Sequence, residues 1–305
     1  MISPCDLHVR RMLRNLGRPL ALLLCLDIVV VVAYVYFKQR WLALPSLPLS
    51  IGGGALGVLL GFRNNISHAR WWEARTLWGR IVNQSRCLGR QAVAYISVGD
   101  QPQDRGLIRD TQRRIVYYQI AYVNSLRCQL RGQDPWPELE PFLSKEEIDS
   151  LRGAKNAAAE IQRRMALLIQ DSCHRGWLGV VPLALLDNGL TELANAQGGC
   201  ERIKNTPMPR HYDSLIRLFI HLFCILLPLG MVANLGLLTP IGSALLGFGF
   251  LALETIGRDL DHPFANSVHD VPMTSICRTI EINLKQYLGE ADLPAPIEPV
   301  RGVLW

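Results

Sequence analysis

Three side chains in this sequence carry acid–base chemistry into apolar surroundings: Asp27, His221 and Glu254. Asp27 interrupts PLALLLCLDIVVVVAYVYF (Pro19 to Phe37), His221 lies within Leu218 to Ala233, and Glu254 directly follows Leu235 to Leu253. A charge at a membrane centre costs roughly 2.5 to 3.5 kcal/mol on insertion scales, so Asp27 needs a partner on a neighbouring helix. The three match no catalytic motif. His262 and His269 flank PFANSV with Asp261 and Asp270 nearby, which offers metal-ligand types without a regular zinc spacing, and helix capping and loop hydrogen bonds suit them better. The sequence has no P-loop, GxGxxG, HExxH or GxSxG, and Gly242-Ser243 sits inside an apolar run. The expectation is no enzyme, no cofactor and no metal site.

A different kind of chemistry is written into IGGGALGVLLGFRNNISHARWWEARTLWGRIVNQSR, residues 51 to 86. On a helix Gly54, Val58 and Phe62 fall on one stripe, with Gly57 and Gly61 beside them. One reading is a small-residue packing face between membrane helices. The other places several copies of the helix around an axis, so that Val58 and Phe62 form apolar rings that gate ions by dewetting. Spacing alone favours packing. Arg63 and Arg70 suit snorkelling at the cytoplasmic interface, Glu73 suits an ion pair with Arg70 or Arg75 across subunits, and Trp71, Trp72 and Trp78 suit an interfacial belt or subunit packing. These residues are assigned to assembly.

The elements that must position such a stripe are membrane helices. Hydrophobic residues make up 49% of the 305-residue chain and charged residues 19%, and mean hydropathy is +0.15. That is too apolar for a disordered chain and too charged for one wholly inside lipid. Pro19 to Phe37 is 19 residues long, and at 1.5 Å per residue it reaches ~28 Å, about the hydrocarbon thickness. The basic residues before it resemble a signal peptide, but KQRW follows in place of a cleavage site, so the helix is read as retained. Leu42 to Phe62 is free of charge over 21 residues, with Pro45 and Pro48 suited to a turn and a first helical turn. Leu218 to Ala233 and Leu235 to Leu253 read as a helical hairpin with a very short connection. The basic residues lie almost wholly before the first span, between the second and third, and after the fourth, which places both termini in the cytoplasm.

Between the membrane pairs the pattern is helical and amphipathic, without strands. Ile108, Ile115, Tyr118, Tyr122, Leu126 and Leu130 form one stripe; Ser144 and Glu147 form a capping box opening another, with Ile148, Leu151, Ala158, Ile161, Met165 and Leu168. GQDPWPELEPF is a proline-rich loop between them. A later helix fits Pro272 to Leu288, capped by Gly289, and the tail ADLPAPIEPVRGVLW should be extended and laid over a neighbouring surface. The eight cysteines include no CxxC and read as reduced, mostly buried thiols. A net charge of +6 and a pI near 9.0 fit a membrane protein with cytoplasmic parts, and no nucleic acid partner is expected.

Several segments together resemble the bestrophin family, in its bacterial branch: Gly61-Phe62-Arg63-Asn64-Asn65, Arg70-Trp71, Glu73-Ala74-Arg75, Leu77-Trp78-Gly79 and Asn83, Ser85, Arg86. GGCERIKNTPMP (Gly198 to Pro209), Leu226-Leu227-Pro228 and ETIGRDLDHPFAN (Glu254 to Asn266) extend the likeness over nearly the whole chain, in the family's order. The resemblance implies an all-α homopentameric ion channel, each subunit giving four membrane spans and a large helical cytosolic domain. It implies a pore neck at Gly54, Val58 and Phe62, where relatives carry a bulkier residue than Gly54. It also implies a cytosolic aperture at Val180, with Val181 and Leu178 as rivals. The acidic run that binds calcium in animal members is here ANSVHD, so no calcium site is expected. Branch resemblance points to monovalent cations; a chloride or other anion channel of the same architecture is the alternative. A non-conducting membrane-anchored scaffold and a membrane enzyme are the readings from other classes. Membrane lipids, monovalent ions and further copies of the chain are the expected partners. The segments expected are a basic N-terminus 1–18, two spans within 19–69, a cytosolic domain 70–210, two spans within 211–256, and a cytosolic helix and tail 257–305.

Overall fold

The computed structural model describes residues 9–97, 104–208, 210–300 and 302–305. Residues 1–8 of the basic N-terminus, with Cys5, and Pro209 and Arg301 lie outside the described residues. The elements are α1 (Val9–Val35), α2 (Ser46–Tyr95), α3 (Arg105–Arg131), α4 (Trp136–Leu139), α5 (Lys145–Leu151), α6 (Ala157–His174), α7 (Val180–Asn205), α8 (Arg210–Leu235), α9 (Thr239–Asp261) and α10 (Met273–Tyr287). The fold is all-α; among the described residues the only β feature is one bridge between Val300 and Val303. Two compact units divide the chain, Pro4–Trp71 with Pro207–His262, and Trp72–Thr206 with Pro263–Trp305.

Among the described residues three stretches are long and apolar enough to cross a membrane: Leu16–Val35, Arg40–Tyr95 and Asp213–Asp261. The last holds both α8 and α9, joined by the 3₁₀ turn Gly236–Leu238, where Gly236 takes φ +50°. α1 starts at Val9 rather than at the expected Pro19. Leu16 and Leu23, two turns apart, bury in one cluster with Ile216, Ile220 and Leu251, and that packing carries the helix through Pro19. α1 packs on α8 and α9. Small residues permit close approach, since a Cβ on Gly247 would meet Leu23 at 2.3 Å and one on Gly230 would meet Leu49 at 2.3 Å.

The second unit has an aqueous-type core. α3 contributes Ile115, Tyr122 and Leu126, α6 Ile161 and Met165, α2 Trp78, Ile81 and Leu88, and α10 Ile280 and Leu284, all fully buried. The expected α3 stripe is buried throughout, and Ser144 and Glu147 form the reciprocal capping box at the start of α5. The stripe beyond it is split over two helices, because Gly153 to Asn156 turns the chain and the Asn156 side chain accepts from the Ala159 N–H at 3.0 Å to begin α6. The proline-rich loop contains the single turn α4. α10 matches its expected bounds within a residue, and Gly289 follows it with φ +73°. The tail returns to its own unit: the Ser275 N–H, in the first turn of α10, donates to the Trp305 carbonyl at 2.7 Å, and Val303 is buried.

The seven described cysteines are free, and Cys128, Cys200, Cys224 and Cys277 are buried. Burial pushes the Cys200 and Cys277 thiols each up to about 12. A thiol raised in the fold stabilises it fully below the unfolded value of about 8.5, and that contribution is lost as pH rises towards the folded value. At neutral pH maleimide should therefore leave Cys200 and Cys277 unmodified in the folded chain and label them after denaturation, read by peptide mass; labelling of both in the folded chain would contradict their burial.

Candidate functional site

The site is built on α2. Pro48 lies in its first turn, where the missing N–H is no loss, and no proline follows before Tyr95, so one helix runs 50 residues. At 1.5 Å per residue this is ~75 Å, more than a membrane thickness. Composition changes from apolar to charged at Arg63, but nothing there stops a helix.

In the first unit α2 has two unlike faces. Leu56, Leu60, Arg63 and Ser67, spaced by four, three and four, are buried against the rest of the unit. The opposite face carries Ile51, Gly54, Val58 and Phe62, with Val58 59% and Phe62 60% exposed. A Cβ built on Gly54, Gly57 or Gly61 meets nothing within 4 Å, whereas one on Gly53 would meet Phe223 of α8 at 2.7 Å. The chain thus packs internally through Gly53 and leaves the glycine, valine and phenylalanine stripe uncovered. An apolar stripe on a helix of membrane character, uncovered within its own chain, needs lipid or another copy against it.

Directly after Phe62 the chemistry becomes ionic. Arg63 is 2% exposed; one Nη contacts the Asp213 carboxylate of α8 and the other donates to the Glu254 carbonyl of α9 at 3.2 Å. Asn64 donates to the Leu253 carbonyl at 3.0 Å, and a Cβ on Gly257 would meet Asn64 Oδ1 at 2.1 Å. Arg70 faces Asp261 at 3.7 Å, and the Trp71 ring stacks near His68 with centroids 6.5 Å apart. In the second unit Glu73 pairs with Arg202 of α7, a Cβ on Gly199 would meet Leu77 at 2.8 Å, Arg75 is half-buried, and Trp78 is fully enclosed. Ser85 accepts from Gln119 at 2.8 Å and Arg86 donates to Asn283 at 2.8 Å. The segments that carried the resemblance therefore meet one another: GFRNN touches ETIG within the first unit, and the WWEARTLWG segment touches GGCER within the second. Arg63, Asn64, Arg70, Glu73 and Trp78 have these partners inside one chain.

Val180 opens α7, with Gly179 as its N-cap. Val180 and Val181 are 76% and 73% exposed, while Leu178 is buried in the core of the second unit. Of the three membrane acid–base candidates, His221 and Glu254 both lie against Arg217, and Asp27 lies beside a different residue. Asp27 is fully buried beside Ser243 of α9, His221 Nδ1 lies 2.8 Å from the Arg217 carbonyl, and Glu254 lies 3.5 Å from Arg217 Nε. In PFANSV, Asn266 takes φ +65°, the Ser267 hydroxyl donates to the Asp270 carboxylate, and the His269 N–H donates to Ser267 Oγ at 3.3 Å. No three His, Cys, Asp or Glu among the described residues are grouped to hold a metal ion. Asp213 carried no sequence signal of its own, and Gly257 none beyond its place in ETIGRDLDHPFAN; their partners lie 150 and 193 residues away along the chain.

Comparison with known proteins follows this geometry. The family described as bacterial/fungal bestrophin protein matches residues 8–286. The voltage-dependent anion channel-forming protein YneE of Salmonella typhi is 33% identical over 270 residues, covering 88% of this chain and 86% of that protein. The voltage-dependent anion channel-forming protein RSc3414 of Ralstonia nicotianae is 31% identical over 274 residues, covering 90% and 87%. A crystal structure of a bacterial bestrophin homologue from Klebsiella pneumoniae superposes with a TM-score of 0.82 at 33% identity, covering 90% of this chain and 98% of that one.

Proposed function

Because this chain belongs to the bacterial and fungal bestrophin family, a family of membrane ion channels and not of enzymes, we propose that it forms a homopentameric channel of the bacterial inner membrane whose neck is lined by Gly54, Val58 and Phe62. The observation that carries this reading is the exposed apolar stripe of α2, left bare by its own chain while the opposite face is buried. Copies arranged around an axis cover it and turn Val58 and Phe62 into rings that hold no continuous water unless they widen. Four spans lie within 19–69 and 211–256, and both termini lie in the cytoplasm with residues 70–210 and 257–305. Val180, at the exposed start of α7, forms the second constriction. Arg70, Trp71, Glu73 and Arg75 serve assembly, and lipid covers outward residues such as Ile28, Val29 and Leu245.

Anions are the favoured ions. The relatives are named as anion channel-forming proteins, which favours anions over the monovalent cations that branch resemblance pointed to. In the second unit the exposed positions Thr76, Arg80, Asn83 and Arg90 of α2 recur at helical spacing, and cations along an ion path raise the local anion concentration. The test of assembly is the mass of the detergent-solubilised particle by native mass spectrometry. Five copies of the 34.2 kDa chain are expected; a monomer would exclude a ring and favour a membrane-anchored scaffold.

The glycine at 54 gives a prediction of its own. Its position is open within the chain, so Gly54→Ile should fold and add a third apolar ring. Conductance should fall about tenfold while the particle mass stays the same, following the dewetting logic of a narrower apolar neck. Unchanged conductance in an intact particle would remove Gly54 from the axis.

A further inference from the structure

Immediately after the neck stripe, five charged side chains join three helices. Asp213 of α8 is shared between Arg63 of α2 and Arg217 of α8, the latter at 2.8 Å. Glu254 of α9 is shared between Arg217, at 3.5 Å, and Arg258, at 4.0 Å. Arg63 is the buried member, and the two separate nitrogens of its forked guanidinium serve a carboxylate on one helix and a backbone carbonyl on another. Asn64 adds a bond to the Leu253 carbonyl, and Gly257 lets it lie against the α9 backbone. Three of the five sit where an apolar run stops: Arg63 after Phe62, Arg217 before Leu218, Glu254 after Leu253.

We propose that Arg63, Asp213 and Glu254 act as a latch that fixes α2 against α8 and α9 and so holds the neck rings in their closed geometry. The inference rests on the reading of Val58 and Phe62 as the barrier. The geometry supports it in two ways. The latch lies on the buried face of α2, one residue beyond Phe62, so it sets the rotation that turns Val58 and Phe62 away from the rest of the unit. It also ties α2 to both helices of the α8–α9 hairpin, so removing it frees rotation and tilt of the segment that carries the rings. A dewetted neck depends steeply on its width, and a loosened ring wets more often. Arg63, Asp213 and Glu254 are positioning residues: they touch no ion, and act through Val58 and Phe62.

The test is ion flux into proteoliposomes made with the purified full chain, normalised to assembled particles counted by size-exclusion chromatography with light scattering. Asp213→Asn, which removes the carboxylate from Arg63 with little change of shape, should raise flux about tenfold; Asp213→Glu, which keeps the charge, should stay near the wild type. Gly257→Ala displaces Asn64 from the same contact without altering any charge and should raise flux in the same direction. In a background of Val58→Ala with Phe62→Ala the latch substitutions should add nothing, since the barrier they control is gone. Wild-type flux in assembled Asp213→Asn and Gly257→Ala particles, or a full further increase on the alanine neck, would overturn the latch. Loss of assembly in Asp213→Asn together with unchanged flux in Gly257→Ala would assign the network to stability alone and overturn it too. If the alanine neck conducts no better than the wild type, the neck reading fails first, and the latch falls with it.

Discussion

Replacing Val58 and Phe62 together by alanine should raise the ion flux of this protein at least about tenfold, with little change in which ions pass. The side chains are apolar and more than half exposed in the chain. Truncation removes two methyl groups per copy from one ring and a phenyl group per copy from the other, and a wider apolar constriction holds water without an opening stimulus. Because the rings carry no charge, they oppose ions of both signs, so the reversal potential in asymmetric salt should stay close to the wild-type value. Unchanged flux through a conducting, correctly assembled particle would remove Val58 and Phe62 from the barrier.

The second large effect is structural. Trp78 is fully enclosed by the core of the second unit, with Ile81, Ile115 and Ile120 equally buried in the same cluster. Trp78→Ala should cost about 3 to 5 kcal/mol, a large share of the roughly 5 to 15 kcal/mol that holds an ordinary domain folded. Thermal unfolding in detergent should shift down by several degrees or more, and the yield of assembled particles should fall. Trp78→Phe should recover most of the loss. A subunit-contact role predicts the opposite pattern, monomers that unfold at the wild-type temperature, and that result would contradict the enclosure seen here.

Much of the fold was legible because local periodicity and end signals are strong. The α3 stripe, the Ser144–Glu147 box, the α8–α9 hairpin and the Pro272 to Gly289 helix each depend on residues within a few turns of one another. Two helices run on past a change of composition. α2 passes from lipid-type to aqueous-type residues at Arg63 without a proline to end it, and α1 passes through Pro19 because Leu16 and Leu23 bury together. The break between α5 and α6 went the other way, since Leu151 and Ala158 hold a helical spacing across a turn capped by Asn156. Of the candidate site, the Gly54, Val58 and Phe62 stripe was readable from spacing, but its exposure was not. The partners of Arg63 were beyond reach of any local pattern, because Asp213 and Glu254 lie 150 and 191 residues further along the chain.

The central claim is that this chain conducts ions through a neck built by its own copies. Single-channel recording of the purified particle in planar bilayers under asymmetric salt tests it most directly. Unitary currents that reverse on the anion side, and that grow in the Val58→Ala, Phe62→Ala particle, are the predicted result. Silence at every voltage from both the wild type and the alanine-neck particle would contradict the account, and reversal on the cation side would overturn its assignment of the ion.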